Sequence, residues 1–277
     1  MKNRVLIAFA AGTVLAAPVM AQTTDASVLD AGRALVETHN CTGCHTETLG
    51  GQFFGGWYVP NISSDPIAGI GGWTIEELVE YLRDGSTAKG QAAGSMAGVV
   101  GSVTRRMTDD ELTALATYLK STDPVSDPDV KQPAFSFTTA QPASVISLDP
   151  AIDQSNPEAK VDLSTTDGAE LYVAACATCH MPNGEGTADH FYPSLVGNGR
   201  IGGHTPNNLV QVILHGVTRD SNRGFPVAMP AYAADMNDEQ IAAVANYVFA
   251  RFGNPDLSVT GDDVALLRDR KNLPGQE

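Results

Sequence analysis

All four cysteines of this chain fall in two copies of one pentapeptide pattern, Cys41-Thr42-Gly43-Cys44-His45 and Cys176-Ala177-Thr178-Cys179-His180. The copies lie 135 residues apart, and the sequence around them repeats too. Residues 70–85 (IGGWTIEELVEYLRDG) align without gaps on residues 201–216 (IGGHTPNNLVQVILHG), with seven of sixteen positions identical. Residues 107–118 (MTDDELTALATY) align on residues 236–247 (MNDEQIAAVANY). Three blocks in one order, twice, mean that two copies of one structural unit each fold around their own pentapeptide.

Each unit has the same coarse order of elements. A short helix carrying Gly32 and Leu35, or Gly168 and Leu171, precedes the cysteines. A Gly-rich loop follows, and then a middle helix from Thr74 to Asp84, where Thr74 and Glu77 form a capping box and Gly85 supplies the stop. Its counterpart starts at Thr205-Pro206, with proline at a tolerated first-turn position, and ends at Gly216. A last amphipathic helix begins at Thr108, capped by Glu111, and ends near Lys120; its partner runs from Asn237 to Phe252 and stops at Gly253. No alternating strand pattern stands out, so the expected fold is all-α, in two tandem domains. Residues 121–163 hold six prolines among Ser, Thr and Asp, the composition of a semi-extended connector. The expected division is a leader at 1–21, a first domain at 22–120, the connector at 121–163 and a second domain at 164–277. The tail after Asn254 is expected to wrap or fray.

The leader is read from Lys2 and Arg4, the apolar stretch from Val5 to Val19, and the small-residue site Val19-Met20-Ala21. Pro18 closes the run before it reaches the roughly 20 residues of a spanning helix. Cleavage after Ala21, export to the periplasm and a mature chain without a transmembrane anchor are expected. The formal net charge of −15 argues against nucleic acid or an anionic lipid surface as partner. It suits docking onto a basic protein face, and equally a plain acidic solvated surface.

Export would ordinarily pair four cysteines as two disulfides, but the following histidine in each copy points elsewhere. Two thiols one helical turn apart can add to the two vinyl groups of one porphyrin, and the adjacent imidazole then falls on the iron. A thioredoxin-like pair would sit in a βαβ context, and a zinc site would bring both pairs together. Two covalently attached haems c are therefore expected, on Cys41, Cys44 and His45 and on Cys176, Cys179 and His180.

The far-side ligand has to come from elsewhere in each unit. Met96 and Met229 follow their histidines by similar distances and are expected in loops before the last helix. Met107 and Met236 also correspond, but each immediately precedes a helix N-cap, where an apolar residue staples onto the first turn. Met181 has no equivalent in the first copy. His204 aligns with Trp73 and His215 with Asp84, while His39 and His190 lack counterparts, which suits loop or surface histidines; a His/His site in one domain stays open as an alternative. Pro60 and Pro193 lie 15 and 13 residues after the proximal histidines, where a carbonyl could accept the ring's other N–H. Trp73, Tyr81 and Tyr247 read as packing around the porphyrin.

On these motifs the chain resembles the class I cytochrome c superfamily over roughly residues 28–120 and 164–254. More narrowly, Val59-Pro60-Asn61-Ile62 followed by Gly69-Ile70-Gly71-Gly72-Trp73 is similar to the cytochrome c subunits of bacterial alcohol- and gluconate-type dehydrogenases. The resemblance implies His/Met ligation, matched by His45 with Met96 and by His180 with Met229. It also implies electron relay from a catalytic subunit to a downstream cytochrome or oxidase of the respiratory chain. Such subunits often carry three haem units, and the two motifs here favour a soluble acceptor over direct quinone reduction. Two alternatives remain: a dihaem enzyme (a peroxidase or sulfur-compound dehydrogenase), which needs an iron with an open position, and a free carrier to a terminal oxidase.

Overall fold

The computed structural model describes residues 26–138, 164–188, 191–220 and 225–269. The expected leader and its cleavage point, the later part of the connector and His190 lie outside the described residues. The first half runs α1 (Ala26–Thr38), α2 (Cys41–His45), a hairpin of β1 (Gln52–Phe54) and β2 (Trp57–Val59), and then α3 (Ile75–Asp84). A second hairpin of β3 (Ser86–Thr87) and β4 (Gly90–Gln91) leads to α4 (Ser95–Ser102), a 3-10 turn and α5 (Asp109–Ser121). The second half runs α6 (Gly168–Ala175), α7 (Ala177–His180), α8 (Asn207–His215), a hairpin of β5 (Val217–Arg219) and β6 (Val227–Met229), α9 (Asp238–Phe252) and α10 (Gly261–Arg268).

Local chemistry sets the helix ends. Thr74 with Glu77, Thr108 with Glu111 and Asn237 with Gln240 form reciprocal capping boxes, each satisfying two N–H groups the helix leaves without partners. Gly85 ends α3 at a φ of 69°, its N–H bonded to Tyr81 O. Two features depart from the sequence reading. Among the described residues the fold is mostly helical but includes three two-stranded antiparallel hairpins, whose strands of two or three residues are too short to show alternation. The tail forms α10, which starts on a Thr260–Asp263 capping box and buries Val264 and Leu267. Arg268 ties α10 down by donating to the Asp238 carboxylate at 2.7 Å and to Met236 O at 3.0 Å.

Each half is built on one crossing of its first and last helices. A Cβ at Gly32 would run into Ala114 O and the Tyr118 side chain; a Cβ at Gly168 would run into Ala243 O and Tyr247. These are aligned positions of the repeat, so α1 meets α5 as α6 meets α9, backbone against backbone. Around the crossings, Val36, Leu78, Leu82, Leu112, Leu115 and Leu119 form one core, and Leu171, Tyr172, Leu214, Ile241, Phe249 and Phe252 belong to a second, separate one.

The residues after α5 lie against both halves. Asn61 donates to Val125 O at 2.6 Å and Val125 N–H to Ser63 Oγ at 2.9 Å. Phe135 meets the Trp73 ring edge-on at 6.4 Å, and Phe137 O accepts the Gly197 N–H at 2.9 Å. The halves also meet directly: Arg200 Nε donates to Gln91 O at 3.0 Å, Gly199 N–H to Lys89 O at 2.9 Å and Arg219 Nη1 to Asp84 O at 3.3 Å.

Because Gly32 and Gly168 sit where no side chain fits, Gly32→Ala or Gly168→Ala should each cost about 1–3 kcal/mol of unfolding free energy. Gly101→Ala, whose Cβ would meet Asp220 only at an ordinary 3.6 Å, should be neutral or slightly stabilising in α4. Denaturant titration of the three variants checks this.

Candidate haem sites

Both pentapeptides fold as a single helical turn, α2 and α7, which sets the two cysteines of each copy three residues apart with the histidine at the end. The backbone needed to leave that turn is unusual and shared: Thr46 has a φ of 70° and Met181 one of 62°. Tyr172 hydroxyl donates to Met181 O at 2.7 Å and so holds the exit of the second turn. Among the described residues no cysteine is bridged to another. Burial pushes the thiol of Cys41 up and that of Cys176 to about 12, the neighbouring thiol adding to the effect.

The two histidines are held alike. His45 Nδ1 lies 2.8 Å from Pro60 O, and His180 Nδ1 lies 2.9 Å from Pro193 O. A carbonyl only accepts, so Nδ1 carries the proton and the lone pair is left on Nε2. Burial pushes both imidazoles below the usual histidine range, outweighing the opposite pull of the carbonyl; for His45 the charge of Arg200, from the other half, adds to the lowering. Each ring is thus neutral and in one tautomer, the form that can ligate iron.

A glycine permits this contact in each copy. Gly51 and Gly186 lie six residues after the histidines, donate to His45 O and His180 O, and have φ values of 81° and 68°. A Cβ on Gly51 would strike the Val59–Asn61 backbone, and one on Gly186 the Tyr192–Pro193 backbone. The proline carbonyl reaches the imidazole because these two positions have no side chain.

Met96 and Met229 are half-buried, Met96 against the core that Cys41 also touches and Met229 against the core that Cys176 touches. Neither occupies the loop expected of it. Met96 stands in the first turn of α4, and Met229 ends β6, paired with Val217. In the corresponding hairpin of the first half, β3 with β4, the residue opposite Ser86 is Gln91, five positions before Met96, so the two methionines arrive from different local structures. Met236 is 3% exposed at the entry to α9, as a staple should be, while Met107 is half-buried at the entry to α5. His204 is not a plain loop residue. It packs edge-on against Tyr58 at 4.6 Å and lies 3.9 Å from the Asp127 carboxylate.

The donor set suits haem c: two unbridged thiols one turn apart, a neutral imidazole of fixed tautomer beside them, and a thioether on the same core. Residues 29–123 match the family described as Cytochrome c, and residues 164–248 match Cytochrome C oxidase, cbb3-type, subunit III. The chain is 37% identical over 254 residues to the fructose dehydrogenase cytochrome subunit of Gluconobacter japonicus, covering 86% of this chain and 51% of that one. It is 33% identical over 251 residues to the cytochrome c subunit of the quinone-type alcohol dehydrogenase of Gluconacetobacter polyoxogenes, covering 83% of this chain and 50% of that one. It is also 32% identical over 127 residues to cytochrome c-552 of Thermus thermophilus, covering 41% of this chain and 82% of that one. The chain belongs to the cytochrome c family, with two cytochrome c-type domains and hence two c-type haems. It spans about half the length of the dehydrogenase subunits it matches.

Gly186→Ala should cost about 1–3 kcal/mol through its positive φ and the displaced Tyr192–Pro193 backbone, and Gly51→Ala likewise in the first half. Unfolding followed at the haem absorbance checks both, with Gly203→Ala, whose Cβ would meet Gly199 O at 3.6 Å, as the silent control.

Proposed function

We propose that Cys41 and Cys44 hold one haem with His45 and Met96 as its axial ligands, and that Cys176 and Cys179 hold the other with His180 and Met229. The observation carrying this reading is the repeated Nδ1 contact to a proline carbonyl, which leaves Nε2 as the only lone pair of each ring. Bound haem supplies a one-electron ferric–ferrous couple. The protein's part is to fix the imidazole, supply a sulfur from the core side and surround the group with apolar side chains, so that electrons pass but no substrate binds.

The chain then acts as a two-step relay within an exported dehydrogenase assembly of the fructose- or alcohol-oxidising kind. A catalytic subunit donates electrons, and a downstream cytochrome or oxidase of the respiratory chain accepts them. The relatives support this, since the fructose and alcohol dehydrogenase subunits align with most of the present sequence. The acidic surface favours docking onto basic faces of those partners. Among the described residues no helix is long and apolar enough to cross a membrane, which accords with a periplasmic site of action after removal of residues 1–21. The division into domains at 22–120 and 164–277, with residues 121–163 as a Pro-rich connector, belongs to the same reading.

The intact mass should exceed that of the processed polypeptide by two haems. Met96→Ala and Met229→Ala should each abolish the weak sulfur-to-iron charge-transfer band of one haem and lower that haem's potential. A band that survives both substitutions overturns the ligand assignment. Affinity purification from the native membrane and periplasm should recover a substrate dehydrogenase subunit in fixed proportion, and its absence would favour a free carrier.

A further inference from the structure

The repeat diverges at one place that matters for the first haem. Where the first copy has Glu76 and the capping residue Glu77 at the start of its middle helix, the second has Asn207 and Asn208. Asn208 is 7% exposed and turned onto the other half. Its Oδ1 accepts the Tyr58 N–H at 3.0 Å, and its Nδ2 donates to Tyr58 O at 3.0 Å. One side-chain amide thus satisfies the outer edge of β2 as a neighbouring strand would. Asn207 Nδ2 donates to Gly56 O at 3.2 Å at the tip of the same hairpin, and His204 packs on the Tyr58 ring. Tyr58 is two residues from Pro60, whose carbonyl holds His45. The matching loop in the second half is held from within: Thr187 N–H donates to Tyr192 O at 3.1 Å and Tyr192 N–H to Thr187 Oγ1 at 3.0 Å.

We infer that the second domain positions the proximal histidine of the first haem, through Asn208, the Tyr58 backbone and Pro60, and thereby helps to set that haem's potential. The inference rests on His45 as a haem ligand. A firm Nδ1–H to carbonyl bond makes Nε2 the stronger donor and favours ferric iron. Loosening the clamp weakens that bond and raises the potential of the first haem alone. Asn208 is a positioning residue, since it touches neither His45 nor the haem-attachment cysteines.

The test uses the full haem-loaded chain. In Asn208→Ala, exchange of the His45 Nδ1–H followed by NMR should be at least about tenfold faster, with His180 unchanged. In spectroelectrochemical titration, the ferrous-to-ferric ratio of the first haem at fixed poise should rise about two- to tenfold, the second staying in place. Asn207→Ala, which disturbs the same interface farther from Pro60, should do less of both. Met229→His assigns the two redox steps by moving the second one down. If Met229→His moves neither step, the ligand reading has failed; if it moves one while Asn208→Ala moves neither, or moves both alike, the positioning role has failed. The unaltered chain offers a further check should Asn208→Ala not fold. Its Tyr58 N–H and His45 Nδ1–H should show the same opening free energy, and clearly different values would overturn the coupling.

Discussion

A buried imidazole keeps one nitrogen free for a ligand when its other nitrogen is occupied, and in this protein both halves occupy it with a backbone carbonyl brought in from a loop. The requirement propagates outward. Nδ1 of His45 and of His180 can reach Pro60 O and Pro193 O only because Gly51 and Gly186 offer no Cβ to the approaching chain. Those glycines in turn sit at positive φ and hydrogen-bond back to the histidine's own carbonyl, so that turn, ring and loop form one closed unit. The crossings of α1 with α5 and of α6 with α9, again admitted by a glycine each, give that unit a rigid wall to rest on. Burial also pushes both rings toward the neutral form.

The same device supported in two ways makes the halves unequal. In the second half the loop bearing Pro193 is braced by Thr187 and Tyr192, residues of the loop itself. In the first half, β2 offers an open strand edge near Pro60, and the edge is closed from the other domain by Asn208. Two haems in tandem serve a relay best when they differ, and a duplicated unit acquires a difference most simply at the residues where the copies touch.

Much of this was legible in the sequence, for physical reasons that particular residues show. Capping boxes are local, so Thr74, Thr108 and Asn237 announced their helices within one residue. The proline carbonyl contacts could be anticipated because a proline follows each histidine at a similar distance, 15 residues in one copy and 13 in the other. The hairpins were hidden because strands such as Ser86–Thr87 span no more than one alternation period. Helix α10 was hidden less well: Thr260 and Asp263 carry the same capping signal as the others, and only its position in a charged tail argued against it. The methionines show the limit of reasoning by repeat. Met96 and Met229 correspond in count along the chain, yet one enters on a helix and the other on a strand. What contact order conceals, divergence can reveal. Asn207 and Asn208 stand where the first copy has an exposed Glu76 and a half-buried, capping Glu77, and that replacement was a sign of the interface.

The interface itself is mostly side-chain amide and guanidinium to backbone: Asn207, Asn208, Arg200 and Arg219 donate to carbonyls across it. Hydrogen bonds of this kind contribute only about 0.5–1.5 kcal/mol each, too little to hold two free proteins together at ordinary concentration. Here both halves belong to one chain, and tethering supplies an effective concentration in the millimolar range. The contacts are therefore relieved of providing affinity and are free to provide orientation, which directional bonds to backbone groups do better than apolar surface. For a relay that is the more useful property, since the spacing and the surroundings of two fixed groups matter more than the strength with which their domains adhere.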